Sequence, residues 1–248
     1  MLFLDVSGSA SASELLAWAP PGWGATLVVG LWNTILIASG AYVLGLLIGV
    51  FGAFSKLYGG PVIKDILAVY TTLVRAVPEL VLILILNYAF TGMVNEFLRL
   101  RGYEPIQLSG VAVGIAILGV VQGAYSTEVL RGAILSVPAG QIEAARAMGM
   151  SPMLLARRIT MPLMMAAAIP GLANLWLTVT KDTALLAVVG FIELTKATSL
   201  AAATTKAFFT FFMAGGVLYL ALSLVSTLIF ARIEKWARKG QRIMERGM

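Results

Sequence analysis

EAARAMGMSPMLLARRITMP, residues 143–162, is the one long window between strongly apolar segments with enough polarity to sit in water. It predicts two short helices joined by a bend. Pro138 and Gly140 break the helix before it. Gln141 to Met148 is Ala-rich and favours helix. Gly149 suits the left-handed position just past a helix end. Ser151 followed by Pro152 reads as an N-cap and first helical residue. Arg146, Arg157 and Arg158 mark the segment as cytoplasmic if the chain spans a membrane. A stiff knob of this kind between two spans can dock in a groove on a soluble partner. The plainer alternative is a basic helical loop that has only folded back on itself.

Composition decides the surroundings. Of 248 residues, 59% are hydrophobic and 12% charged, with a mean hydropathy of +0.91. A soluble domain is nearer half apolar and a quarter charged, so this is an integral membrane protein. There is no cysteine, which excludes disulfides and thiolate metal sites, and no histidine, the commonest general base and metal ligand. Nothing suggests a metal site. Nor is there a GxxxxGK[ST] phosphate loop, a GxSxG or an HExxH, so no catalytic or cofactor-binding constellation is expected. The net charge of +6 could suggest nucleic acid, but Arg232, Lys235, Arg238, Lys239, Arg242 and Arg246 all lie beyond the last apolar run. That placement reads as a tail facing cytoplasm or anionic lipid.

In chain order, residues 1–22 carry Asp5 and Glu14 with no Lys or Arg, unlike a signal peptide, and read as a non-cytoplasmic leader. Residues 23–232 are expected to form the transmembrane domain, with a cytoplasmic loop at 136–162, and 233–248 a basic cytoplasmic tail. Span one covers about Gly24 to Phe54, where Gly45, Gly49 and Ala53 put small side chains on one face. Either they serve close packing, or they only reflect the frequency of glycine in membrane helices. Span two runs from about Ile63 to Tyr88, kinked by Pro78, with Arg75 and Glu79 placed to pair across the kink. Residues 91–107 are expected to be a loop. Span three runs from about Leu108 to Leu135 with Gly110/Gly114 and Gly119/Gly123, and ends near Tyr125, Glu128 and Arg131; a local Glu128–Arg131 ion pair is expected. Span four starts near Met161. Pro170-Gly171 should break it early, and Lys181-Asp182-Thr183 falls between its apolar halves. Broken helices with polar residues at mid-depth are where transporters build pathways. Residues 192–207 hold Glu193, Lys196 and Lys206, and span five covers about Phe208 to Phe230. Five spans put the ends on opposite sides. Twelve of the eighteen Lys and Arg then lie on the elbow side and four on the other, which favours N-out, C-in.

The spacing in the opening stretch carries a resemblance. Glu143-Ala144-Ala145, three residues, Gly149, nine residues, Ile159, one residue, Met161 and Pro162 is similar to the EAA loop of ATP-binding-cassette (ABC) importer permeases. Met161 replaces the usual Leu, which conserves volume. Other stretches resemble the polar-amino-acid branch of that family: Arg75-Ala-Val-Pro78-Glu79-Leu80, the run Glu128 to Ile134 continuing into Val137-Pro138-Ala-Gly140-Gln141, and Lys181-Asp182-Thr183-Ala184-Leu185. Ala76 and Ala184 depart from the usual Gly and Ser. Glu193-Leu-Thr-Lys196-Ala197-Thr198 is similar to "Q"-type subunits for histidine, lysine, arginine, ornithine and the opines octopine and nopaline. The resemblance covers about residues 24–235.

The resemblance implies an all-α type I importer transmembrane domain in a bacterial inner membrane, with a coupling helix inserted into a cytoplasmic ATPase dimer. It also implies a second homologous permease, a heterodimer being favoured over a homodimer, and a periplasmic amino-acid-binding protein. ATP and Mg would be bound by the ATPase and not by this chain. Gln141, Glu143, Ala144, Ala145, Gly149 and Pro162 are the candidate ATPase-coupling residues. Arg75, Glu79, Tyr125, Glu128, Lys181 and Asp182 either line the translocation path or form closed structural pairs. A secondary transporter or channel without an ATPase is the rival reading; it would need no docking loop, and no inverted repeat relates the halves. A membrane-embedded enzyme ranks last.

Overall fold

The computed structural model describes residues 11–104 and 109–238. Lys239, Arg242 and Arg246 of the basic tail, Leu108 at the start of span three and the first ten residues of the leader lie outside them. The described residues form ten α-helices and no strand: α1 (Ala12–Leu15), α2 (Gly24–Tyr58), α3 (Pro61–Ala76), α4 (Glu79–Leu100), α5 (Gly110–Leu135), α6 (Ala139–Ala147), α7 (Pro152–Leu155), α8 (Met161–Asp182), α9 (Leu194–Thr205) and α10 (Phe208–Ala237). Five stretches are long and apolar enough to cross a membrane: α2, α4, α5, the run Pro152–Ala187 containing α8, and α10. The expected five-span, all-α architecture is therefore present, although several boundaries differ.

The core is the pairing of α2 with α5, and small residues allow it. α5 is the central span, with fourteen buried residues against one in α4 and three in α10. A Cβ on Gly45 would meet Gln122 at 2.8 Å, and one on Gly49 would meet the Ser126 Cβ at 2.4 Å. In return Leu44 and Ile48 lie over Gly119 and Gly123. The contacts advance together along both helices, so α2 and α5 run parallel. Parallel neighbours need a crossover between them, and α3 with α4 supplies it. The glycines thus serve packing, not composition alone.

The crossover departs from the expected kinked helix. α3 climbs along α5 with Val74 packed in one cluster with Val121 and Ala124. It then stops, with Val77 extended at φ −92°, ψ 138°. The ring of Pro78 denies its predecessor the helical conformation, so the helix breaks outright. α4 restarts at Glu79 and continues through Leu100, so residues 91–100 are helix and not the expected loop. The gain in length makes α4 a span by itself and keeps the count at five. Glu96 and Arg99 pair on its surface at 2.8 Å.

The fourth span is also continuous where a break was expected. α8 passes through Pro170 and Gly171 unbroken. Neighbouring helices hold α8 just beyond the proline: Tyr42 donates to the Leu172 carbonyl at 3.2 Å and Gln122 to that of Leu175 at 3.0 Å, and Gly171 lets Val129 approach. The break comes later, at Asp182, where the helix tightens to a 3₁₀ turn over Thr183–Ala187.

Residues 194–205 form α9, which lies against the first turns of α2 and runs antiparallel to the start of α10. Glu193 organises this corner. Its side chain is fully buried and accepts from the N–H groups of Thr195 and Lys196 at 2.8 Å, from the Tyr219 hydroxyl at 2.8 Å and from Thr34 at 3.3 Å. It caps α9 and joins three helices with four donors and no cation. α10 then descends to Ala237, five residues into the expected tail.

Two substitutions test this packing. Gly49→Val forces its side chain into the Ser126 backbone and should lower stability by about 1–3 kcal/mol, read as earlier thermal aggregation in detergent. Glu193→Leu leaves its donors buried without an acceptor, each costing about 1–3 kcal/mol, whereas Glu193→Gln retains one carbonyl oxygen. The Leu variant should lose the larger share of folded protein on heating.

Candidate functional site

Two groups of residues combine polarity with a position that bulk packing does not require. The first is the elbow between α5 and α8. α6 ends in a two-bond glycine stop: the Gly149 N–H donates to the Arg146 carbonyl at 2.9 Å and the Met150 N–H to that of Ala145 at 3.1 Å. Gly149 has φ +75°, open to glycine at little cost. The chain restarts at Ser151, whose hydroxyl accepts from the Leu154 N–H at 3.4 Å, with Pro152 as first helical residue. Each of these features agrees with the sequence expectation.

The link from α7 to α8 had no sequence expectation. Residues Ala156–Thr160 form a widened π turn between the two helices. Pro162 has no N–H to give the carbonyl four residues back, that of Arg158, so the regular ladder is interrupted where the turn widens. Pro162 in the motif thus accompanies a change of helical phase at the foot of α8.

The elbow has an inner and an outer face. Ala145 is 4% exposed, and Leu155 of α7 is also buried. A cavity of about 300 Å³ separates the bend from the end of α2, bordered by Phe54, Tyr58, Arg146 and Met150. Outward stand Glu143 and Ala144, with Met148 at 80% and Met153 at 78% exposure. Unbranched, pliable methionines around one carboxylate make a surface suited to a partner's cleft. Gln141 is half-buried, beside Pro162 in a groove on the other flank.

The second group sits around the Pro78 break, level with the middle of α5. The Tyr125 hydroxyl donates to the Glu79 carboxylate at 3.0 Å. Asp182 and Arg75 lie near enough to interact electrostatically with this pair, and Lys181 with Asp182. Five of the six expected path residues therefore share one neighbourhood, built from the end of α3, the start of α4, the middle of α5 and the end of α8. Arg75 and Lys181 are exposed in the single chain, whereas Glu79, Tyr125 and Asp182 are half-buried. The expected Arg75–Glu79 pair does not form among the described residues; the backbone break between them turns Glu79 to Tyr125 instead.

Glu128 lies apart from this neighbourhood. It holds Lys56 at 2.6 Å and Arg131 at 2.8 Å, and Lys56 also donates to Thr71 at 2.9 Å. The Glu128–Arg131 pair agrees with the sequence expectation. Lys56, which ties α2 and α3 into it, was missed because it lies 72 positions from Glu128. Glu193 was also missed as a capping residue; an acidic residue directly before a helix-forming run was the available signal.

Residues 41–239 match the family described as "binding-protein-dependent transport system inner membrane component". The chain is 40% identical over 230 residues to the nopaline transport system permease protein NocQ of Agrobacterium fabrum, covering 92% of this chain and 98% of that one. It is 37% identical over 214 residues to the histidine/lysine/arginine/ornithine transport system permease protein HisQ of Escherichia coli, covering 86% and 94%. Among solved structures, an amino acid ABC transporter crystallised with histidines aligns with a TM-score of 0.73 at 25% identity, over 86% of this chain and 94% of that one. The MetNI methionine ABC transporter shares the fold at a TM-score of 0.66 and 22% identity, over 88% and 99%. With an EAA-type elbow seated at the foot of a five-span bundle, the chain belongs to the inner membrane components of binding-protein-dependent transport systems.

Proposed function

We propose that this chain is the permease subunit of an ATP-driven importer for basic or polar amino acids or opines, set N-out and C-in in a bacterial inner membrane. The observation that carries the reading is the elbow: a helix stopped by Gly149, restarted by Ser151, braced inward by Ala145 and presenting Glu143, Met148 and Met153 outward. In this proposal the outer face seats in a cleft of a cytoplasmic ATPase, which binds the ATP and Mg. Closure of the ATPase dimer moves α6. Because α6 is joined to α8 through a short, capped bend, the displacement reaches Asp182 at the far end of α8. A second, related permease completes the pathway, a heterodimer being favoured, and a periplasmic binding protein delivers the substrate.

Glu79, Tyr125 and Asp182, with Arg75 and Lys181, are proposed to line the route between the two permeases. Ionisable groups at this depth are costly in lipid and are retained where they meet a cavity or a partner. Two carboxylates suit a cationic substrate, and the names of the HisQ-type relatives support that class. Glu128 is proposed to hold the helix ends together, since Lys56 and Arg131 occupy its oxygens.

Three measurements in proteoliposomes test this. Gly149→Leu strains a left-handed position and should leave the protein inserted and ATP hydrolysis running while uptake falls at least about tenfold; unimpaired uptake would refute the elbow's role. Glu79→Gln should lower uptake of a cationic amino acid relative to a neutral one, and an unchanged ratio assigns the carboxylate to structure. Glu128→Gln leaves Lys56 without its counter-charge at a partly buried site, at a cost of about 1–3 kcal/mol. It should reduce yield and thermal stability, with the uptake ratio preserved in what survives.

A further inference from the structure

A groove of about 560 Å³ opens where three spans end beside the elbow: the end of α5, the foot of α8 and the last turn of α10. Its two halves differ in chemistry. One wall is apolar, made by Leu163, Ala166 and Ala167 within the membrane-spanning part of α8. The rim is polar and cationic, made by Arg158, Arg238 and Gln141. Arg158 forms no ion pair among the described residues. Arg238 shares its charge with Glu234 at 3.1 Å, and its side chain remains half exposed. The π turn places Arg158 on this rim, and the extension of α10 beyond the apolar run brings Arg238 to meet it.

We propose that the groove binds an anionic phospholipid of the phosphatidylglycerol class, the phosphate held between Arg158 and Arg238 and an acyl chain lying on Leu163 and Ala167. A soluble anion would use only the rim, and a neutral lipid only the wall; an anionic amphiphile uses both. Guanidinium groups match phosphate oxygens with paired N–H donors. The rim lies at the level where the spans end, which is the level of headgroups, and the wall continues toward the hydrocarbon. A lipid seated here touches the foot of α8, the end of α5 and the end of α10 at once, and so links the bilayer to the segment from which α6 departs.

The test uses the full chain, with whatever subunits co-purify, in nanodiscs of equal phosphatidylglycerol and phosphatidylcholine, with native mass spectrometry of retained lipid. Phosphatidylglycerol should be retained over phosphatidylcholine, and Arg158→Gln and Arg238→Gln should each lower the preference about fivefold, the effect of one basic residue near an anionic surface. Arg157→Gln, outside the groove, should leave it unchanged. Ala167→Trp keeps both charges but fills the wall and should also expel the lipid. A preference that survives the double arginine variant overturns the assignment. So does displacement by inorganic phosphate with Ala167→Trp silent, which would make this a site for a soluble anion. Loss of a co-purifying subunit in the arginine variants, with no lipid preference in the wild type, would assign the groove to a protein partner and equally overturn it.

Discussion

The close approach of α2 to α5 is the constraint on which the bundle depends. In a bilayer, lipid tails are as apolar as leucine, so no hydrophobic effect drives one span against another. Affinity between spans must come from dispersion contacts at short range and from hydrogen bonds. Close contact operates along this seam, where glycines at 45, 49 and 52 admit Gln122, Ser126 and Thr127 and glycines at 119 and 123 admit Leu44 and Ile48, and the Lys56–Glu128 bond closes its elbow-side end. The seam also fixes topology. Two spans running the same way demand an intervening crossover, and α3 with α4 has to be laid around their flank. With α2 and α5 locked, the remaining spans have defined surfaces on which to settle, and α8 takes the largest.

Polar groups are distributed in keeping with that frame. Where a carboxylate is fully enclosed, as Glu193 is, four donors satisfy it and three helices meet there. Where one sits at the elbow-side end of the bundle, as Glu128 does, cations from two helices close around it. Among the described residues Glu79 and Asp182 have neither arrangement. Glu79 has one hydroxyl donor and a helix N-terminus behind it. Partial exposure with no cation at hydrogen-bonding distance, among the described residues, separates these two from the structural carboxylates of the same chain.

Much of this was legible in the sequence because it is local. The Gly149 stop and the Ser151-Pro152 restart are short-range backbone rules, and apolar runs of membrane length announce themselves by composition. Tertiary partners were less legible. Pro78 was visible, but whether it bends or severs a helix depends on whether its flanks find separate support, and both do, on α5. Pro170 had the opposite outcome for the same reason: side chains from α2 and α5 donate to carbonyls just beyond it, and the helix persists. Two prolines with the same intrinsic effect were resolved differently by their neighbours. Lys56 could not be paired with Glu128 from order alone, since only the parallel seam brings them together.

The outright break at Val77–Pro78 has a mechanical corollary. α3 is pinned through Thr71, in its upper half, and Lys56 to the ionic cluster, whereas α4 is embedded higher up through Ile83 among Ile37, Ala38 and Ile117. The two rods meet at a single extended residue, and Leu82 and Leu86 of α4 also reach the cluster that holds Val74 of α3. The helical hydrogen-bond ladder does not run through such a joint, so α3 and α4 are coupled there by side-chain packing and not by a continuous backbone. Glu79 is the first residue beyond the joint, and any rotation there alters its separation from Asp182 directly. The spacing between these two carboxylates therefore depends on the backbone torsion of Val77 as well as on the hydrogen bond that holds Glu79 to Tyr125.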